Sequence, residues 1–298
     1  MSKIITGISF LTATGILWVI LGSVISRAAK KQLDIAFIQG ISGVLMTLLL
    51  VPAGFFCQLP EWPVAVAMLL AGAGNYYIFL LMNKAMQTGP NGLIWAMIQS
   101  AFAIPFIMGI VIFSVPCSPF RLTGFFILLL AMCMMGFFGQ KTTVENSGSK
   151  SCKWLFFTLC GFLLAGLNQS CANLPSYLLK NTEADFGMLA VRCGICTAGT
   201  AAGWLIHEPF RQKDYPVRNC TLEVILMIIS TLGASFCLFY ALDLLAGAGM
   251  GAIGYPIAMG VTIAFFQIYT AISLRERLSV PAFLSILLCL GGIILITL

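Results

Sequence analysis

The amino-acid sequence predicts an all-α integral membrane protein with ten transmembrane helices arranged as two inverted five-helix repeats. Three observations lead to this prediction. Of the 298 residues, 60% are hydrophobic and 9% are charged, with a mean hydropathy of +1.00, whereas soluble domains hold about 45–50% apolar and about 25% charged residues. Ten apolar runs each approach the ~20 residues that a helix needs to cross a bilayer. A polar linker divides these runs five and five.

The ten runs leave only short connections and no soluble domain. Because lipid offers no hydrogen-bond partners to the backbone, apolar runs of this length predict a helical bundle and exclude open sheets. The first run is longer than the roughly 7–15-residue core of a cleavable signal, so it is retained as a span. The predicted spans are residues 4–25, 33–56, 64–86, 91–113, 121–140, 154–176, 186–207, 222–244, 249–272 and 280–298.

The linker Lys141–Lys153 is the one polar, glycine- and serine-containing segment at the middle of the chain. It predicts a first repeat over residues 1–146 and a second over residues 147–298. Because five is odd, a second copy must enter the membrane with opposite polarity. Inverted repeats recur in secondary transporters, whose substrate site lies near the midplane between the halves. The corresponding glycines are Gly74 with Gly233 and Gly92 with Gly251.

Lysine and arginine concentrate in alternate loops. The loops after the first, third, fifth, seventh and ninth spans hold twelve of them, and the opposite face holds Lys3, Arg121 and Lys180. The positive-inside rule therefore predicts a multi-pass protein of the cell (plasma) membrane with both termini outside the cytoplasm. The net charge is +6, but the basic residues that produce it lie between apolar runs, where they orient the helices in the membrane. No nucleic-acid partner is therefore expected.

Polar side chains inside apolar spans are energetically expensive and therefore mark candidate functional positions. Trp95 and Gln99 are four residues apart and share one face of the fourth span. Amides donate and accept hydrogen bonds and aromatic faces cover rings, which suits a small neutral or zwitterionic polar metabolite. Helix-to-helix hydrogen bonding is the alternative role. The candidate substrate-binding residues are Asn75, Tyr76, Trp95, Gln99, Asn168, Tyr255 and Gln267.

Fixed charge is nearly absent from the predicted spans. Arg192 lies about six residues into the seventh span, or ~9 Å at 1.5 Å per residue. Three roles are open for it: snorkelling to the interface, hydrogen bonding to span carbonyls, and contact with a substrate or anion. Asp243 and Lys84 occupy span ends and are expected at the interface. Without a carboxylate in the middle of a span, exchange of protons against lipophilic cations is disfavoured.

Proline and glycine mark the fourth and ninth spans. Pro105 and Pro256 remove backbone donors, and glycines such as Gly251 and Gly254 permit close helix approach. Together they predict locally broken helices of the kind that line transport sites.

The sequence contains no motif that indicates an enzyme. GxSxG, HExxH and paired intramembrane aspartates are all absent, and no nucleophile has an evident base. The CxxC of Cys193 and Cys196 has no second pair or histidine beside it, so neither a metal nor a cofactor is expected. The sequence also lacks a nucleotide-binding loop, so transport would draw its energy from a gradient of substrate, protons or sodium ions.

Several segments resemble the drug/metabolite transporter superfamily in its ten-span form, which is EamA-like and sugar-transporter-like. These segments are Ala85–Trp95, Pro105 placed thirteen residues after Gly92, and Tyr255-Pro256 followed by Leu274-Arg-Glu-Arg-Leu-Ser279. The resemblance covers almost the whole chain and implies secondary active transport by alternating access, with a sugar-like substrate favoured.

The superfamily also includes exporters of amino acids and drugs, so the resemblance implies transport without a direction. An exporter of amino acids or small amphipathic drugs is therefore the alternative. From a different class, a non-transporting membrane scaffold or an intramembrane enzyme with an unrecognised site stays open. The oligomeric state does not follow from the sequence.

Overall fold

The computed structural model describes residues 2–138, 153–178, 185–210, 220–274 and 280–297. This part of the chain is almost entirely helical and contains no β-strand. Its α-helices are α1 Ser2–Lys31, α2 Ile35–Phe56, α3 Trp62–Met86, α4 Asn91–Gln99, α5 Ala103–Val111, α6 Pro119–Phe138, α7 Lys153–Leu178, α8 Phe186–His207, α9 Thr221–Gly247, α10 Gly254–Ser273 and α11 Val280–Thr297.

Within the described ranges, eight helical segments are long and apolar enough to cross a membrane, and α4 with α5 forms one of them. Two shorter apolar stretches cover Pro119–Ala131 and Phe283–Thr297. Large hydrophobic side chains cover the outside, including Phe56 at 88% and Leu48 at 64% exposure. Lipid accommodates such a surface and water does not. The chain is therefore an all-α membrane-embedded protein, as its hydropathy predicts.

Aspartates fix the starts of two helices. The Asp34 side chain accepts a hydrogen bond from the Phe37 amide at the start of α2. The Asp185 side chain accepts from the amides of Gly187 and Met188 at the start of α8. These caps satisfy backbone donors that the first helical turn cannot pair internally.

The predicted helix break occurs in the fourth span but not in the ninth. Residues Ser100–Phe102 form a 3-10 turn between α4 and α5, close to Pro105, which cannot donate to the carbonyl four residues earlier. A 3-10 turn over Gly251–Ile253 precedes α10, and Pro256 lies in its first turn, where a missing donor costs little. The helix α7 continues through Pro175.

Helices of the two halves pack against each other. The helix α1 lies along α9 and α10, α3 lies along α7 and α8, α2 contacts α8, and α6 contacts α11. The helix α10 is the most enclosed of the eight candidate spans. The predicted repeat boundary between residues 146 and 147 lies outside the described residues, as do residues 275–279 of the resemblance segment.

Glycines allow α3 and α8 to touch at the backbone. A methyl group on Gly72 would collide with the carbonyl of Cys196, and one on Gly199 with the carbonyl of Leu69. The Thr200 hydroxyl donates to the Gly72 carbonyl at 3.0 Å. Small residues and hydroxyl bonds of this kind hold helices together where lipid provides no hydrophobic drive.

We predict that Gly72→Ala and Gly199→Ala each destabilise the protein by roughly 1–3 kcal/mol, because the colliding atoms are backbone and cannot rotate away. Gly54→Ala and Gly291→Ala are matched controls, since nothing lies within 4 Å of their added methyl groups. Thermal unfolding of purified protein in one detergent measures the difference. Equal melting temperatures for all four variants would contradict the described α3–α8 packing.

Candidate functional site

A cavity of about 100 Å³ lies among α1, α3, α4, α7, α8, α9 and α10. Its lining residues fall near the middle turns of α1, α3, α7, α8 and α9, which is near the membrane midplane for helices that span it. Ligand pockets usually measure roughly 300–1,000 Å³, so this conformation encloses only a small solute or a few waters.

Aromatic and uncharged polar side chains make up much of the cavity wall. No charged residue and no histidine is among the described residues that line it. The aromatic lining residues are Trp18, Phe79, Trp95, Phe239 and Tyr255. The uncharged polar ones are Asn75, Gln99, Asn168, Gln169, Thr231 and Ser235.

The structure brings five of the seven candidate substrate-binding residues together in this wall. They come from four different helices in both halves of the chain, α3, α4, α7 and α10. These five residues are Asn75, Trp95, Gln99, Asn168 and Tyr255.

Tyr76 lies outside the cavity. Its side chain is fully buried and packs against Gly203 of α8, and its hydroxyl is 2.9 Å from Nδ1 of His207. Successive helical residues point about 100° apart, so Asn75 and Tyr76 face different neighbours. Tyr76 therefore joins α3 to the end of α8 and does not line the cavity in this conformation.

Gln267 also lies outside the cavity. Its Nε2 donates to the carbonyl of Gly92 at 2.9 Å, and a methyl group on Gly92 would meet the Gln267 amide. Twelve residues, or about 120° around an ideal helix, separate Gln267 from Tyr255. Gln267 therefore ties α10 to the start of α4, which is the helix-to-helix role that was its alternative.

Several lining residues lie outside the seven candidates predicted from the sequence. Gln169, Thr231 and Ser235 carry the signal that found the others, a polar side chain in an apolar span. Serine and threonine are weak signals, because in helices their hydroxyls commonly bond a carbonyl of the preceding turn. Trp18 and Phe239 carry no sequence signal, since aromatic residues are equally common at lipid-facing and core positions.

Two lining residues contain buried polar atoms without partners. The indole Nε1 of Trp95 and the Oε1 of Gln169 make no hydrogen bond among the described residues, and the two side chains are 1% and 6% exposed. The Trp95 ring stacks on Phe266 with 4.7 Å between centroids, which restrains its orientation. An unmet buried donor or acceptor costs roughly 1–3 kcal/mol. These two atoms are therefore a buried unmet donor and a buried unmet acceptor in the cavity wall.

A buried ion pair lies beside the cavity. Nη1 of Arg192 donates to Oδ2 of Asp243 at 2.7 Å and to Oδ1 at 3.0 Å. The Ser176 hydroxyl donates to Asp243 at 2.6 Å and accepts from Nη2 of Arg192 at 3.3 Å. The guanidinium carbon lies 5.0 Å from the ring centroid of Phe239, which also lines the cavity. We call Arg192, Asp243 and Ser176 the ion-pair cluster.

The ion-pair cluster revises two expectations. The Arg192 side chain is 0% exposed, so it does not snorkel, and its guanidinium bonds a carboxylate and a hydroxyl. The Asp243 side chain is 14% exposed and bonds Arg192 and Ser176, so it is an ion-pair partner within the protein rather than a solvated charge at a span end. Lys84 is exposed and lies 5.8 Å from the Phe157 ring centroid.

Each member of the cluster lies four residues from a lining residue, which is one helical turn or ~6 Å along its helix. All three are displaced toward the same end, where α7 and α9 finish and α8 begins. The cluster therefore lies about one helical turn beyond the cavity wall at that end. The lining residues concerned are Ala172 for Ser176, Cys196 for Arg192 and Phe239 for Asp243.

Among the residues that the structure describes, no group of three or more His, Cys, Asp or Glu side chains is placed to hold a metal ion. Cys193 and Cys196 are free thiols inside α8.

No family model and no curated protein matches the chain. Solved structures do resemble it, and 28 chains match. One, described only as "Crystal structure of protein", has a TM-score of 0.67 at 15% sequence identity, covering 99% of this chain and 96% of its own. At that identity the likeness shows the fold alone. The arrangement of helices therefore extends over nearly the full length of another protein.

We predict that Asp243→Leu destabilises the protein by about 3–5 kcal/mol, because it leaves the buried Arg192 guanidinium without a counter-charge. The double variant Arg192→Leu/Asp243→Leu should recover much of this loss, since no buried charge then remains. Chemical or thermal unfolding of the wild type, both single variants and the double variant measures the coupling. A double variant no more stable than Asp243→Leu would contradict the pairing.

Proposed function

We propose that the protein is a secondary active transporter that moves a small neutral or zwitterionic polar metabolite, with a sugar-like one favoured, across the cytoplasmic membrane by alternating access. One observation carries this proposal. A mid-membrane cavity holds aromatic, amide and hydroxyl side chains, and two of these keep buried polar atoms unpaired. A scaffold would gain nothing from such a site, because an apolar filling is more stable.

We also propose that ten spans form two inverted five-helix repeats, as in the drug/metabolite transporter superfamily. The first repeat would hold α1, α2, α3, α4 with α5, and α6; the second would hold α7 to α11. Helix contacts support this correspondence, because exchanging the repeats converts α1–α9 packing into α7–α3 packing. The same exchange converts the α1–α10 contact into the contact of α7 with α4 and α5, and it converts the α2–α9 contact into the α8–α3 contact. The α2–α8 and α6–α11 contacts each map onto themselves.

The contacts at the two ends of the cavity support alternating access. In this proposal, the ion-pair cluster closes the end of the cavity at which α9 finishes. The helix α10 begins at this same end, a few residues after α9, and crosses the membrane in the opposite direction to α9. The Gln267–Gly92 hydrogen bond therefore lies toward the other end of the cavity. Each closure joins helices from different chain segments by a few polar contacts. Breaking one while keeping the other would open the cavity to one membrane face at a time.

The break between α4 and α5 supplies a place for bending. The 3-10 turn Ser100–Phe102 follows directly after Gln99 in the cavity wall, and Pro105 weakens the hydrogen-bond ladder beside it. Movement at this turn would reshape the site and the closure at Gly92 together. Because the sequence has no nucleotide-binding loop, a proton, sodium or substrate gradient would drive the cycle.

We predict that Trp95→Ala and Gln99→Ala each reduce transport at least ~10-fold. Each substitution removes a large or hydrogen-bonding side chain from the cavity wall, which we expect to cost about 1.4 kcal/mol or more of substrate-binding free energy. The matched control is Gln58→Ala, whose side chain is exposed between α2 and α3. Proteoliposomes are loaded with, or exposed to, labelled monosaccharides, nucleosides and neutral amino acids. Uptake and efflux are measured for folded variants.

Uptake measured against efflux distinguishes an importer from an exporter of amino acids or small amphipathic drugs. If both cavity variants transported every accepted solute as fast as Gln58→Ala, the cavity would not be the transport site. If the wild-type protein moved no solute in either direction, the transport proposal itself would be wrong.

A further inference from the structure

Resting on the transport function proposed above, we propose that the cavity selects uncharged ring compounds with both a hydrogen-bond donor and a hydrogen-bond acceptor. In this assignment Trp95 and Gln169 bind the polar edge of the ligand. The proposal narrows the substrate class from neutral or zwitterionic to neutral, and it assigns a binding role to Gln169.

The described part of the cavity wall offers no counter-charge to a charged ligand. None of the described lining residues is charged, so a buried ammonium or carboxylate on a ligand would lose its hydration without a counter-charge, at a large cost. The nearest charges belong to Arg192 and Asp243, which bond each other through two Nη1 contacts and share Ser176. Because these two residues neutralise each other, neither is available to a zwitterion in the cavity.

The cavity wall contains a buried hydrogen-bond donor and a buried hydrogen-bond acceptor without partners among the described residues. The Trp95 indole can only donate, and the Gln169 Oε1 can only accept. Both atoms are buried and unpaired, and both residues line the cavity. A ligand that presents an acceptor to Trp95 and a donor to Gln169 removes both unmet groups. Carboxamides, lactams and hydroxyl-bearing rings each provide this combination within a single uncharged molecule.

The aromatic surfaces of the cavity wall favour a flat ring. Trp18, Phe79, Phe239 and Tyr255 bring aromatic surfaces to the wall, and such surfaces pack well against flat ring faces. The cavity of about 100 Å³ could instead hold several waters. Waters would satisfy the same atoms without selecting any solute, so selection by ligand charge distinguishes the two occupants.

The experiment compares four forms of one pyridine ring that differ in charge. Binding to purified wild-type protein is measured by calorimetry with nicotinamide (neutral), nicotinate (anion), 1-methylnicotinamide (cation) and trigonelline (zwitterion), and with D-xylose as a second neutral ring. We expect binding of a neutral compound, with the three charged pyridines at least ~10-fold weaker than nicotinamide. A charged form that binds as tightly as nicotinamide, or no binding by either neutral compound, would overturn the proposal.

Variants then test the two named residues. Trp95→Phe keeps the ring and removes the donor, and Gln169→Leu removes the amide, so each should weaken neutral binding about 3- to 10-fold. Trp62→Phe is the matched control, because Trp62 is 77% exposed and remote from the cavity. Gln169→Glu should gain affinity for 1-methylnicotinamide. Wild-type affinity in both Trp95→Phe and Gln169→Leu would refute their role as binding residues.

The binding proposal and the transport proposal can be refuted independently. Selective nicotinamide binding without counterflow in proteoliposomes would refute the transporter proposal and leave the ligand class standing. Proteoliposomes that accumulate trigonelline but exclude neutral rings would refute the ligand class and leave transport standing.

Discussion

The lack of water in the lipid interior is the constraint on which the rest of this structure depends. A polar group inside a span must find its partner within the chain, because hydrocarbon provides none. Most do so locally or across a helix contact: the Thr262 hydroxyl donates to the Ala258 carbonyl at 2.8 Å, and the Asn83 amide donates to the Ile25 carbonyl at 3.3 Å. Buried polar atoms left unpaired at a cavity wall therefore require an explanation, and ligand binding provides one.

The same constraint explains how well the helices could be predicted. Most described helices begin and end within three residues of their apolar runs, because only a helix satisfies its own backbone in lipid. The exceptions are α1, which extends to Lys31, α10, which begins only at Gly254, and the fourth run, which is divided between α4 and α5. Hydropathy reports that a residue is in a span but not which way it faces. Tyr76 and Gln267 are polar residues within apolar spans, but their contacts with His207 and Gly92 depend on helix rotation and packing, which hydropathy does not report.

The ion-pair cluster was the least predictable feature. Arg192 and Asp243 are 51 residues apart, and each lies near a span end, where a solvated charge is the ordinary expectation. Their pairing depends on α8 and α9 meeting at that depth, with Ser176 of α7 completing the set. A buried pair contributes little net stability compared with apolar packing. Its position one helical turn from the cavity wall is the reason we propose that it closes one end of the cavity.

Whether the cavity reaches both membrane faces in turn is the central question for the proposed function. The most direct measurement is the labelling of Ser235→Cys, a wall position on α9, by a membrane-impermeant thiol reagent applied to sealed vesicles of either orientation. Alternating access predicts labelling of this cysteine above the wild-type background from both sides, with each rate reduced by a bound solute. Labelling from one side only, or from neither, would contradict the account.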